Sequence, residues 1–503
     1  MDAWALLSVS DKTGLIPLAR FLSDAGLRLL ATSSTARYLQ EQGLAVESVE
    51  QLTGFGEILG GRVKTLHPII YGGILASNHP DHQSQRQNLG APDIRVVVVN
   101  LYPFEQALEQ GRNEAELIEE IDIGGVSLIR AAAKNFERVS VLVSSDQYED
   151  FMSTPFDQQT RDLRRILAHQ AFERVAYYDA IIGAALEGEP DAWPVQLVIA
   201  GSRQQELRYG ENPHQAGAFY RYAPRTGLAK ARVLQGKALS YNNLADADTA
   251  VALAYDFEGP AAVAVKHQTP CAAALGTTVL DAYAKAHDAD PVSIFGGIVA
   301  INRTLDAPLA ERLIDIFLEV VIAPEATQAA LTVLSSRKNL RVLTVEPQEG
   351  SWGFDVKGIW GGVLVQPRDV VQGPAGSWTH VAGPVPGASL NQDIELAWKV
   401  VARAKSNAIV VVKDGSTVGV ASGETNRIDA ARHALERAGQ NARGAVLASD
   451  GFFPFDDVVR LAQECGVGVV VQPGGSIRDQ DSIAVANAAG VTLLMTGERH
   501  FRH

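Results

Sequence analysis

Lys266 and His267 stand side by side where the apolar run of "AAVAVKHQTPC" (261–271) ends. A histidine near its neutral form at pH 7 can accept a proton. A neighbouring ammonium disfavours a second positive charge and can stabilise an oxyanion. The two residues read either as acid–base machinery or as the polar fringe of a strand leaving the core. Three further stretches carry chemistry near the start of the chain. "GGRVKTLHP" (60–68) sets a glycine pair beside Arg62 and Lys64, so it is either an anion grip or a solvated basic loop. "VVVVNLYPF" places Asn100 and Tyr102 just past the carboxyl end of a buried strand, where open α/β sheets bind ligands. "IDIGGVSLIRAAAKN" has Asp122 before a Gly-Gly turn that opens a helix, with Lys134 at the helix end. Such a helix start receives an anion or oxyanion, or is an ordinary cap.

The elements that must hold these residues alternate. "AWALLSV" reads as a buried strand, "SDKTG" as a loop, and Leu15, Leu18, Ala19 and Leu22 fall at helical spacing. "LRLLAT" is a second strand, "SST" a turn, and "ARYLQEQG" a helix closed by Gly43. "IRVVVVN" (94–100) and "VSVLVSS" (139–145) are continuous apolar strands, as in a parallel sheet covered on both faces. A long helix is expected over roughly 158–187, then a linker at "EGEPDAWP" (187–194). From about 197 the alternation restarts with a weak internal repeat. "AAVAVKHQTPC" is echoed by "NAIVVVKDGST" (407–417), and "SIFGGIVAIN" (293–302) by "AVLASDGFFPF" (445–455). Two related α/β lobes follow from this, joined by an irregular connection over 344–390.

Composition excludes several classes. The 503 residues carry a net charge of −14, which speaks against a nucleic-acid binder with a basic face. Cys271 and Cys465 are the only cysteines, too few for a metal cluster and suited to a reducing compartment. No apolar run approaches the ~20 residues of a membrane helix, and the start lacks the basic flank of a signal peptide. A cytoplasmic location is expected. The Rossmann glycine spacing, a triphosphatase phosphate loop and a serine nucleophile elbow are all missing.

Taken together and in order, "SVSDKTG", "TGFGEILGGRVKTLHP", "NLYPF" and "IDIGGVSLIRAAAKN" resemble the cyclohydrolase domain of a purine-biosynthesis family. Its members formylate aminoimidazole carboxamide ribotide (AICAR) and close the product to inosine monophosphate (IMP). "LRYGENPHQ", "GKALSYNNLADAD", "VKHQTPC", "KSNAIVVVKDG", "SDGFFPFDD", "QPGGSIRD" and the terminal "RHFRH" resemble its transformylase domain. The resemblance implies an α/β protein. An N-terminal methylglyoxal-synthase-like parallel-sheet domain (1–190) precedes a transformylase domain of two cytidine-deaminase-like lobes (197–503). It also implies formyl transfer from 10-formyltetrahydrofolate to AICAR, then dehydrative closure of formyl-AICAR to IMP. The partners implied are these small molecules and a second subunit in a homodimer, with no nucleic acid or membrane. The chemistry needs no metal, and a monovalent cation such as potassium is left open.

Site residues follow by the same resemblance. In the first domain Ser10, Asp11, Lys12, Thr32, Ser33, Ser34, Thr35, Arg62, Val63 and Thr65 would hold the nucleotide, and Asn100, Ile123 and Gly124 would line the site. Lys64, Tyr102, Asp122 and Lys134 would serve ring closure, which needs donors for an oxyanion and a proton for the leaving oxygen. In the second domain His267 would be the base, with Lys266 beside it. Arg208, Tyr209, Gly296, Glu319, Asn407, Arg427 and Arg499 would contact the ribotide. Ile428, Phe452, Asp457, Gly474 and Gly475 would lie along the folate, and His503 would close the site. A zinc deaminase would need H-x-E and P-C-x-x-C. Here Gln268 and Thr269 follow His267, and three alanines follow Cys271. The chain departs from the family at Ser33-Ser34 (usually Gly-Gly), at Gln268-Thr269 and at Glu424–Asn426. Two rivals differ in class: a first domain that only senses a nucleotide, and a folate enzyme with another acceptor amine. Sensing would not need Lys64, Tyr102, Asp122 and Lys134 together.

Overall fold

The run expected as a buried strand at 94–100 forms β4 (Asp93–Asn100), whose residues 96–99 are all buried. It pairs in parallel with β1 (Ala3–Val9), and β2 (Arg28–Ala31), β3 (Val46–Ser48) and β5 (Ser140–Leu142) complete a five-stranded sheet in the order β3-β2-β1-β4-β5. Every pairing is parallel, so all carboxyl ends lie along one edge. The computed structural model describes residues 3–187, 193–347, 353–371 and 378–503. The linker expected at 187–194 falls largely on 188–192, outside the described residues. The chain divides into two compact units, Met1–Ser202 with Arg221–Arg225, and Arg203–Tyr220 with Thr226–His503. Arg221 and Arg225 belong to the first because they pair with Glu105 (2.6 Å) and Glu109 (2.9 Å).

Leu15, Leu18, Ala19 and Leu22 are the buried stripe of the helix Leu15–Asp24, as their spacing predicts. "SST" is not a turn. Thr32 is the N-cap, and Ser33 and Ser34 open the helix Ser33–Glu41. Neither serine needs positive φ, so the residue type fits where the family usually has glycine. The strand expected over 139–145 is shorter, Ser140–Leu142, because Ser144 caps the 3-10 turn that follows. The long helix is Arg161–Leu186.

In the second unit β6 (Ser202–Leu207) and β7 (Gly217–Arg221) form a two-stranded sheet, their outer residues belonging to the first unit. β8 (Arg232–Gln235), β9 (Ala261–Lys266), β10 (Thr269–Leu275), β11 (Ile298–Ile301), β12 (Val320–Ala323) and β13 (Arg341–Thr344) make one half of a twelve-stranded sheet. β14 (Phe354–Ile359) and β15 (Gly362–Pro367) form a separate exposed hairpin, so the irregular connection expected over 344–390 is partly regular. The other half of the large sheet is β16 (Thr379–Ala382), β17 (Ile409–Lys413), β18 (Ser416–Ala421), β19 (Val446–Ser449), β20 (Val469–Gln472) and β21 (Thr492–Met495).

The sheet order is β16-β21-β20-β19-β17-β18-β10-β9-β11-β12-β13-β8. Read outward from the β18/β10 seam, the two halves are the same. Each has an antiparallel hairpin, an antiparallel partner, two parallel additions and an antiparallel edge strand. The faint sequence echo is therefore a structural repeat. Alternate strand residues split between a shared core, with Trp398 at its heart, and one further core for each lobe. That division follows from the two-residue side-chain period of a strand.

Candidate active sites

At the carboxyl edge of the first sheet a cleft of about 750 Å³ opens between the ends of β1, β2 and β4. Ser10, Lys12, Thr32, Ser34, Arg62, Lys64, Thr65, Asn100, Tyr102, Asp122, Ile123 and Gly124 line it. Asn100 is a buttress: its Oδ1 accepts from the backbone N–H of Ser10 (2.5 Å) and Asp11 (3.1 Å), and its Nδ2 donates to the Asp11 carbonyl (2.8 Å). Lys12 is pulled inward, donating to the Val9 carbonyl and to Thr35 Oγ1 (3.1 Å). Burial holds its ammonium below the ordinary lysine range, with Asp11 opposing. Asp11 is committed to Thr13, whose backbone N–H and hydroxyl keep its carboxyl low.

The "GG" of the basic motif is needed for its loop. Leu59, Gly60 and Gly61 all adopt positive φ (54°, 64° and 91°), and a single bridge joins Ile58 to Val63. A side chain on Gly61 would meet Lys64 Cε at 2.9 Å. Arg62 pairs with Glu119, and Lys64 lies 3.8 Å from Glu57. Ser33 Oγ sits between Glu57 and Glu50 (2.7 Å from Glu50), with one proton to share between the two carboxylates. These acidic neighbours had no marker in the sequence. Asp122 is held by the backbone N–H of Gly125 (2.7 Å) on its Oδ1, and its own N–H donates to Tyr178 Oη (2.9 Å). A Cβ on Gly125 would sit 2.4 Å from Asp122 Oδ2, so any side chain there would displace the carboxylate. Burial pushes the Asp122 carboxyl upward, opposed by the Gly125 and Tyr102 backbone and the Lys64 ammonium. Lys134 is exposed at the far end of the helix Gly124–Lys134, ~15 Å along its axis from Gly124. It does not line the cleft, and neither do Asp11, Ser33, Thr35 or Val63.

In the second unit His267 is exposed at the tip of the β9–β10 hairpin, and Lys266 Nζ donates to the Phe295 carbonyl (3.0 Å). Gly296 follows at φ 73°, its N–H bonded to the Phe317 carbonyl (2.7 Å). Glu319 is engaged by Arg341 (2.6 Å). A buried polar knot gathers a second group. Arg427 donates to Asn407 Oδ1 (2.7 Å), to Ser449 Oγ (2.8 Å) and to Asp450. Asp450 is fully buried and also accepts from Ser406 Oγ (2.5 Å) and the Ala408 N–H (3.1 Å). The C-terminal tail docks on the same knot: the His500 N–H donates to the Asp450 carbonyl (3.0 Å), and Phe501 lies against Gly451. Arg499 stacks over Phe501 (4.8 Å), whose ring is 6.0 Å from that of His503. Arg208 lies over Tyr209 at 5.5 Å. Ile428 packs beside Arg427 on one helix, and Phe452 is half-buried. Asp457 begins the helix Asp457–Glu464, and Gly474 and Gly475 turn at φ 75° and 95°. Cys271 is not poised for metal or nucleophilic work. Burial pushes its thiol up to about 12, and it contacts the Ala264 carbonyl.

The chain matches two known families: an MGS-like domain over residues 14–127, and the AICARFT/IMPCHase bienzyme over residues 132–437, more than half its length. It belongs to the AICARFT/IMPCHase bienzyme family. The bifunctional purine biosynthesis protein PurH of Bacillus cereus (strain B4264) is 44% identical over all of both chains, and that of Bacillus mycoides (strain KBAB4) is 45% identical. A solved structure named "Crystal structure of ForH" is 35% identical over 37% of this chain and 99% of its own, with a TM-score of 0.33. As a member of this family the bienzyme is a formyltransferase and an IMP cyclohydrolase, and it performs the last two steps of IMP synthesis with a folate cosubstrate. Among the described residues no three His, Cys, Asp or Glu side chains gather as a metal site, and no helix is long and apolar enough to cross a membrane.

The bienzyme's raised Asp122 has a stability consequence. A carboxyl that holds its proton more tightly when folded costs stability at pH values above its folded pKa. The cost disappears as pH falls towards the unfolded value. Asp122→Asn therefore unfolds at higher urea than wild type at neutral pH, and the difference shrinks on acidification. A difference that grew on acidification would contradict the burial argument.

Proposed function

We propose that cyclisation runs in the cleft of the first unit and formyl transfer at the His267 hairpin of the second. The observation that carries this is the convergence of Lys64, Tyr102 and Asp122, from three separate loops, on one cleft that a helix N-terminus also faces. Lys12 and Arg62, with the N–H groups of the helix beginning at Ser33, suit the ribotide phosphate. The carboxamide nitrogen attacks the formyl carbon and gives up its proton to the Asp122 carboxylate, and the oxyanion draws on Lys64 and on backbone N–H groups near Gly124. Tyr102 then supplies the proton that lets water leave. Lys134 enters this set by resemblance alone. Asp11, Ser33, Thr35 and Val63 act behind the cleft surface rather than in it.

In the transformylase His267 accepts the proton of the AICAR amine as it attacks the formyl carbon of 10-formyltetrahydrofolate, then returns it to the folate nitrogen as the carbon–nitrogen bond breaks and tetrahydrofolate leaves. Lys266 lies beside the developing oxyanion. Asn407 and Arg427 hold the ribotide, with Arg499 and His503 closing over it. Asp457, Gly474 and Gly475 face the folate. The exposed position of His267 supports a site completed by a second copy of the chain. So does the β14–β15 hairpin, with Trp360, Val363 and Leu364 more than half exposed. We expect a homodimer in the cytoplasm. Light scattering checks this, and a monomeric mass at micromolar concentration would count against it.

The test of the two-site assignment supplies AICAR and 10-formyltetrahydrofolate and follows both tetrahydrofolate and IMP. Wild type releases both. Asp122→Asn releases tetrahydrofolate but accumulates formyl-AICAR. IMP formation at the wild-type rate by that variant would remove Asp122 from the mechanism.

A further inference from the structure

The two lobes of the second unit carry the same hairpin, and only one of them carries a histidine. β9 and β10 are joined by His267 and Gln268, β17 and β18 by Asp414 and Gly415. All four residues adopt positive φ: 56° and 60° in the first turn, 54° and 76° in the second. A two-residue connection of this kind favours Asn-Gly or Asp-Gly. Asp414-Gly415 satisfies that preference. His267-Gln268 does not, because a side chain at positive φ crowds the following carbonyl.

An aspartate on the preceding helix holds each turn. Asp393 accepts from the N–H of Asp414 (3.0 Å) and Gly415 (2.7 Å). Asp246 accepts from the N–H of Gln268 (2.6 Å) and also bonds the His267 backbone. The aspartate lies 22 residues before the second turn residue in both lobes. The lysines repeat too: Lys266 Nζ donates to the Phe295 carbonyl (3.0 Å), Lys413 Nζ to the Arg443 carbonyl (2.9 Å). Carboxylate, lysine and turn are thus shared scaffold, and the imidazole is what one lobe adds. Burial alone pushes the Asp246 carboxyl upward, and the turn's N–H groups, with His267 and Lys405 nearby, oppose it.

We propose that Asp246 is a positioning residue for formyl transfer, holding the His267–Gln268 turn in its left-handed form and so fixing where the imidazole is presented. This rests on His267 being the base. Asp246 acts through the backbone and need not touch substrate. Its loss therefore appears in kcat and leaves substrate binding alone.

The experiment compares Asp246→Ala, Asp246→Asn, Asp393→Ala, His267→Ala and the double variant Asp246→Ala/Gln268→Gly in the full-length enzyme. Cyclisation of supplied formyl-AICAR reports an intact first unit, and a wild-type circular-dichroism spectrum an intact second. Asp246→Ala lowers kcat for formyl transfer about 100-fold, the cost of a misplaced catalytic group. KM for AICAR and folate stays within about twofold. Asp246→Asn, which keeps one acceptor oxygen, falls between. Gln268→Gly relieves the left-handed cost and recovers about tenfold of the loss. Asp393→Ala keeps wild-type kcat. Full kcat in Asp246→Ala alongside an inactive His267→Ala overturns the positioning role and spares the base. An equal loss in Asp393→Ala, or a loss confined to KM, also overturns it. An active His267→Ala instead overturns the reading of the base on which the proposal rests.

Discussion

His267→Ala lowers kcat for formyl transfer by about 10²–10⁴-fold, the usual worth of a general base, and leaves cyclisation of supplied formyl-AICAR at the wild-type rate. The acceptor amine is a poor nucleophile and must lose a proton as the tetrahedral intermediate forms. Among the residues carried by the β9–β10 turn, only the imidazole can take that proton near pH 7. Lys266 is already tied to the Phe295 carbonyl by the bond that Lys413 makes in the other lobe, so it cannot replace the base. The cleft proposed for cyclisation draws all its lining from residues before 126, within the first unit, which is why that activity is spared. The check is a pair of assays on one preparation. Loss of both activities in a folded variant would contradict two separate sites, and full formyl transfer would remove His267 from the chemistry.

Asp450→Ala destabilises the second unit by about 3–5 kcal/mol, because it strands a buried guanidinium. Arg427 and Asp450 are both buried, at 8% and 0% exposure. Without the carboxylate, Arg427 keeps only the neutral partners Asn407 and Ser449, and Ser406 and the Ala408 N–H lose their acceptor. Removing one partner of such a pair costs far more than the pair is worth beside an apolar pair of equal shape. Asp450→Asn keeps an acceptor for Ala408 and loses less. Thermal unfolding reads this as a midpoint lower by about 10 °C for the alanine variant, with a higher KM for AICAR as Asn407 and Arg427 disengage. An unchanged midpoint would mean that the knot contributes nothing to the fold.

Both predictions turn on residues of unequal legibility. His267 stands out in the chain only through the order of the neighbouring motifs, because its type and its place after an apolar run leave acid–base machinery and the polar fringe of a strand both open. Asp450 stood inside the quoted "SDGFFPFDD" without any signal to distinguish it from Asp456 or Asp457. What separates them is that Asp450 meets partners 23 to 44 positions away in a dry interior. Asp456 pairs with Arg460 at the surface, one helical turn on.

The sequence by itself determined the alternation of strands and helices, the parallel first sheet, the two-lobed second unit and the family. Hydrophobic period and turn chemistry are local properties, and a string of residues displays them directly. Short boundaries were harder: "SST" became the first turn of a helix that Thr32 enters from an extended backbone without a side-chain cap. Only the tertiary structure decided which side chains line the cleft, with Lys134 outside it, that Glu57 and Glu119 take up the cations of the basic loop, and that Asp246 and Asp393 cradle matching turns. The cradling aspartates and Glu119 each meet a group far along the chain. Such contacts depend on strand order and register, which place backbone N–H groups and carboxylates together only after the sheet has formed.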